Sequence, residues 1–155
     1  MLLAAVLLST VVACAPAGRS STSPSPSGPP EVGILTISAS GCAYEGSSDP
    51  IPGQAAAIRL VDRRASGFNA YLWLLNYGYT FEDWAARFLV SHDTLHDHAQ
   101  IVSSAHVEPS ATSRLTAHFL GATYGILCVP LRDGQEYGVA YTAGPLDVPE
   151  PGSAV

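Results

Sequence analysis

The chain has 155 residues, 47% apolar and only 13% charged, a balance that excludes an intrinsically disordered protein. Seven arginines and no lysine stand against 13 acidic residues, for a net charge of -6. No basic stripe exists to neutralise phosphates, which argues against a nucleic-acid partner and against charge-driven binding to anionic headgroups.

Residues 1–13 are almost unbroken Leu, Ala and Val and end at a small residue, the pattern of a secretory leader. Cys14 follows, and Val11-Val12-Ala13-Cys14 resembles a bacterial lipobox, whose cysteine is diacylated and becomes the new N-terminus. The resemblance implies a lipid anchor on Cys14 and a domain held at the outer face of the cell membrane. A transmembrane anchor is the poorer reading, because Leu2 to Val12 is far short of the roughly 20 residues a bilayer needs. An ordinary cleaved leader with Cys14 as an unpaired thiol is the other rival. The leader lacks the basic residue usual before its apolar run, which leaves the translation start open.

Residues 14–31 are dominated by Ser, Pro and Gly and hold no large apolar side chain, so they read as a spacer. At about 3.1 Å per residue in polyproline II, such a segment lifts a domain up to a few tens of ångströms off a bilayer. The folded domain is expected over residues 32–149, with a disordered tail at 150–155.

Val32, Ile34, Thr36 and Ser38 alternate with Gly33, Leu35 and Ile37, predicting a first strand that runs into the turn Ser40-Gly41-Cys42. After the turn cluster Asp49 to Gly53, Gln54 to Asp62 reads as a second strand. Phe68 to Asn76 reads as a third, apolar on both faces. Further strands are predicted at Gln100–Val107, Ser113–Leu120, Thr123–Val129 and Tyr137–Thr142. Short strands with turn signals every eight to twelve residues argue a β-sandwich or barrel. One helix interrupts them at about 80–91. Thr80 suits its N-cap, Glu82 and Asp83 its first turn, and Tyr79 with Trp84 a hydrophobic staple. Phe81, Trp84, Ala85, Phe88 and Leu89 then form one apolar face.

If Cys14 carries lipid, Cys42 and Cys128 remain, an even pair in an oxidising compartment. They read as a disulfide or as two buried thiols.

At Gly121–Cys128, GATYGILC, a Tyr stands four residues before a Cys at the end of a late strand. This resembles the penultimate strand of cupredoxins, the plastocyanin and azurin family. Leu35 to Cys42 with Tyr44 and Gly46, then Pro52-Gly53 and the strand AIRLVD, resemble the first strands of such domains. The resemblance implies an all-β, cupredoxin-like Greek-key sandwich of about eight strands with a helix inserted midway. Type 1 copper takes two His, a Cys thiolate and usually an axial Met. The stretch after Cys128, VPLRDGQEYGV, has neither His nor Met, and Phe68 before Asn69 stands where the family has its other His. No copper is therefore expected at Cys128. In the family the turn after the first strand shares a pole with the ligand Cys, so the resemblance implies a Cys42–Cys128 bridge in copper's place.

His92, His96 and His98 lie in SHDTLHDH with Asp93 and Asp97. Imidazoles four apart share a helical face, and mixed His/Asp donors suit zinc or Cu(II). The competing reading, and the expectation, is a polar exit from the helix with His near its negative end. His106 and His118 alternate with strand residues and are expected to face solvent. Trp73, Tyr77, Tyr79 and Trp84 could stack on glycan rings, but are expected in the core and the staple. No nucleophile elbow, HExxH or phosphate-cradling loop is present, and Glu108 and Asp133 have no sequence partner for catalysis.

The expectation is a non-catalytic, lipid-anchored, extracytoplasmic domain without a cofactor, an interaction module whose partner is an envelope protein. The alternative is a lipoprotein that buffers copper or zinc through His92, His96 and His98.

Overall fold

A computed structural model describes residues 28–88 and 98–152. Two sheets face each other. β1 (Glu31–Ser38), β2 (Gly41–Gly46), β3 (Ala55–Asp62) and β6 (Thr112–His118) form the first, in the order β2-β1-β3-β6. β4 (Phe68–Leu75), β5 (Ala99–Val107), β7 (Ala122–Arg132) and β9 (Tyr141–Val148) form the second. There β4 lies between β5 and β7, β9 pairs the first part of β7, and the two-residue β8 (Gln135–Glu136) pairs its end. β1 and β3 run parallel, and the other pairs are antiparallel. This is an all-β, two-sheet sandwich with one helix, α1 (Phe81–Phe88), inserted between β4 and β5, as the strand spacing predicted.

Strand periodicity decides what lies inside. Leu35 and Ile37 of β1, Ile58 and Leu60 of β3, and Phe68, Ala70 and Leu72 of β4 point between the sheets at zero exposure. Burying each large apolar side chain this completely stabilises the fold by about 1.5–3 kcal/mol. β4 and β7 are apolar on both faces because α1 covers the outside of their sheet. Tyr124, Ile126 and Cys128 belong to the inter-sheet core, whereas Trp73, Leu75 and Leu127 pack with Trp84 and Phe88 of the helix.

The helix starts where its cap directs. The Asp83 amide donates to Thr80 Oγ1 at 3.1 Å, and the Thr80 hydroxyl donates to the Asp83 carboxylate at 3.0 Å. Its predicted last residues fall outside the described ones. The staple takes another form: the Tyr79 ring stacks on His98 with centroids 4.1 Å apart, while Trp84 meets Trp73, Phe81 and Phe88.

Three strand expectations need correction. Residues 41–46 read as a turn with its sequel but form β2, the antiparallel partner of β1. β7 continues past Val129 to Arg132 and folds back through Asp133-Gly134 into β8. Both turn residues have positive φ (53° and 77°), as a two-residue type I′ turn requires. The last strand begins at Tyr141 rather than Tyr137. It passes through Gly144-Pro145, where the pairing with β7 slips between Ala143 and Leu146, and an irregularity of this kind is where a sheet tolerates Pro. Among the described residues the count is nine strands, β8 being minimal, against about eight expected.

Candidate functional site

One pole of the sandwich gathers Cys42 opposite Ile37 of β1, and Cys128 between Ala70 of β4 and Tyr141 of β9. A disulfide joins the two cysteines, 86 positions apart in sequence, with Cα atoms 6.4 Å apart. It ties the edge strand of one sheet to a central strand of the other. The residues present do not fit type 1 copper: both cysteine sulfurs among the described residues, those of Cys42 and Cys128, are spent in the bridge. Phe68, fully buried, offers no donor at the place matched to a ligand His. Where the family's later ligands would stand, β7 instead runs on into the β7–β8 arm.

That arm is clasped to the outer face of its sheet. Asn69 Nδ2 donates to Glu136 Oε1 at 2.9 Å, and the Tyr71 hydroxyl donates to the same oxygen. The Asn69 carbonyl oxygen then faces His106 Nδ1 at 3.0 Å, and His106 Nε2 lies 3.2 Å from a Glu108 carboxylate oxygen, so both ring nitrogens face acceptors. Burial pushes the Tyr71 hydroxyl above its ordinary value, Glu136 adds to the rise, and the Asn69 contact opposes it. Sequence reasoning placed His106 at the surface, where it is, and did not foresee its contact with Glu108. The Asp-Gly pair at 133–134 was the available signal for the hairpin that brings Glu136 there.

The Tyr-to-Cys spacing has a separate cause. The Leu120 amide donates to the Tyr124 hydroxyl at 2.7 Å, which in turn donates to the Leu120 carbonyl at 3.3 Å. Tyr124 thereby closes the crossover from β6 to β7, in the manner of a tyrosine corner.

The spacer enters at the opposite pole. Arg114 donates to the Pro29 carbonyl at 2.9 Å and the Ala57 amide to that of Pro30 at 2.8 Å, with Arg59 paired to Glu31 at 3.1 Å. Two open grooves lie at this pole. One is bordered by Tyr44, Ser47, Asp49, Pro145 and Asp147, the other by Leu74, Tyr77, Tyr79, Leu120, Asp147 and Glu150. Burial raises the Tyr44 hydroxyl above its ordinary value, and Asp49 adds to the rise. Tyr77 is fully exposed, with Leu120 at 56% and Ile51 at 57%.

Of the residues singled out in the sequence, Cys42 and Cys128 come together. Trp73 and Trp84 are buried, while Tyr77 is not. Cys14, His92 and His96 lie outside the described residues. His98 holds Tyr79 through its ring, its Nε2 3.2 Å from the phenol oxygen. Among the described residues, no group of three or more His, Cys, Asp or Glu could hold a metal ion, and no helix is long and apolar enough to cross a membrane.

No known protein family and no curated protein matches the chain. Among solved structures it is similar to auracyanin A, a blue copper protein of the green thermophilic photosynthetic bacterium Chloroflexus aurantiacus. That match is 13% identical and covers 75% of this chain and 98% of that one, with a TM-score of 0.39. It is similar also to dithionite-reduced auracyanin from the photosynthetic bacterium Roseiflexus castenholzii, at 14% identity over 72% and 95% of the two chains, with a TM-score of 0.39.

Proposed function

We propose that this protein is a non-catalytic, lipid-anchored, extracytoplasmic domain that acts as an interaction module of the cell envelope. The observation that supports it is the Cys42–Cys128 bridge, which spends the one sulfur that copper would need and favours an oxidising compartment. The lipobox resemblance at Cys14 and the Ser/Pro spacer supply the tether. The groups clustered on the outer sheet face bond to one another and hold the β7–β8 arm, a positioning role rather than a chemical one. Since a fold can host many functions, the envelope partner is inferred from tether and site, not from architecture. Changing Cys14 to Ser should release the protein from membranes into the soluble fraction. A Cys14→Ser protein that still sediments with membranes would overturn the anchor.

A further inference from the structure

The connections at the spacer pole, residues 47–54, 76–80, 119–121 and 149–152, contain Asp49 and Glu150 and not one basic residue. They also carry Ile51, Tyr77 and Leu120, three of the large apolar side chains left in water. The placement is coherent, because Gly53 donates to the Phe119 carbonyl at 2.7 Å and Phe119 to that of Gln54 at 3.2 Å. The 50–54 turn therefore lies beside Leu120. Leu120 and Tyr77 line one groove together with Asp147 and Glu150, so apolar and acidic side chains share a single surface.

The geometry points to this groove as the docking site for a basic, apolar segment of a partner protein. This deepens the interaction-module reading and rests on it. A guanidinium of the partner pairs with Glu150 and Asp147, an arrangement carboxylates favour through charge-assisted hydrogen bonds. The exposed Tyr77 ring offers a face for the same cation, and Leu120 receives the neighbouring apolar side chain. Charge selects this occupant over the alternatives. An anionic bilayer surface would meet the carboxylates of Asp147 and Glu150 here. A glycan would want several open aromatic platforms, yet Tyr79 is already stacked on His98 and overlain by Arg87 at 5.4 Å. Asp147 is held in place by the Thr123 hydroxyl at 2.6 Å, so its carboxylate is pre-positioned.

The test uses the full chain in detergent and a labelled synthetic peptide, acetyl-Arg-Leu-Arg-Leu-Arg-amide, with fluorescence anisotropy as readout. The basic peptide should bind, and the matched Glu-Leu peptide should not. Binding should weaken as salt rises from about 0.05 to 0.5 M. Glu150→Gln with Asp147→Asn, and separately Tyr77→Ser with Leu120→Ser, should each weaken it at least about tenfold. Thermal midpoints of the variants verify that they fold, and Glu150→Gln alone leaves the Thr123 contact intact. No binding, or equal binding by all folded variants, overturns the proposal. Adsorption to phosphatidylcholine vesicles that disappears in the Tyr77/Leu120 variant, without peptide binding, overturns it in favour of a lipid-facing surface. Because the peptide assay needs no membrane, failure of the Cys14 anchor would be seen in fractionation alone and leave this result standing.

Discussion

Trp84 lays its indole directly on the bare backbone of Gly125, where an added β-carbon would come within 2.5 and 2.7 Å of ring atoms. The contact joins helix α1 to the central strand β7. Gly125→Ala should therefore push the helix outward or twist Trp84 from its rotamer. An overpacking cost of about 1–3 kcal/mol is expected, read as a lower urea midpoint with faster amide exchange in residues 81–88. An unchanged midpoint would mean that the helix is not seated on this strand.

The bridge between Cys42 and Cys128 closes a long loop, and the chain-entropy relation assigns such a closure roughly 4–5 kcal/mol. Replacing both cysteines by Ala should remove much of that, lowering the denaturation midpoint without changing the sheet content. Non-reducing mass spectrometry should yield the Cys42 and Cys128 peptides as one cross-linked species. Two alkylatable thiols at these positions in unreduced protein would disprove the pairing.

Alkaline stability should be set by buried tyrosines. Burial holds the Tyr124 hydroxyl above its ordinary value, partly opposed by the Leu120 amide, and Tyr44 and Tyr71 are raised as well. The folded state keeps these protons after the unfolded chain has released its own at about pH 10. Their contribution is thus complete below about pH 10 and is lost as pH rises through the folded-state values. Tyr124→Phe should cost about 1–3 kcal/mol at neutral pH, because it strands the Leu120 amide and carbonyl. It should also flatten the alkaline decline; a decline of unaltered steepness would remove Tyr124 as a contributor.

Metal affinity should be slight. Titrating Cu(II) and zinc calorimetrically into the protein, and into a variant with His92, His96 and His98 all changed to Ala, should give equal and weak heats. His98 already has its ring committed to Tyr79. Submicromolar binding that vanishes in the triple variant would promote metal buffering over the interaction module.

Periodicity made most of the sandwich legible. The alternation in residues 32–38 and the two-faced apolar run at 68–75 reported burial that the fold indeed imposes. Thr80 announced the helix because capping is local chemistry. What escaped was non-local or minimal. Residues 41–46 include two half-buried side chains, Cys42 and Tyr44, and no fully buried one, so an edge strand left no periodic trace. The extent of the last strand escaped because Gly144-Pro145 sits at a slip in its pairing with β7, which only the partner strand reveals. The Asn69–Glu136–Tyr71 clasp joins residues more than sixty positions apart, and only the β7–β8 turn brings them into contact. The cysteine pairing was reached through a family likeness, since spacing alone fits a free thiol equally well.

Trp84 belongs to helix α1 and Trp73 packs beneath it, both outside the inter-sheet core. Indole emission should therefore report the seating of a single helix while remaining nearly blind to the sandwich itself. A red shift that precedes the loss of sheet circular dichroism would separate helix release from global unfolding in one heating experiment. The position of the two indoles thus supplies a built-in gauge of how independently the inserted segment between β4 and β5 moves.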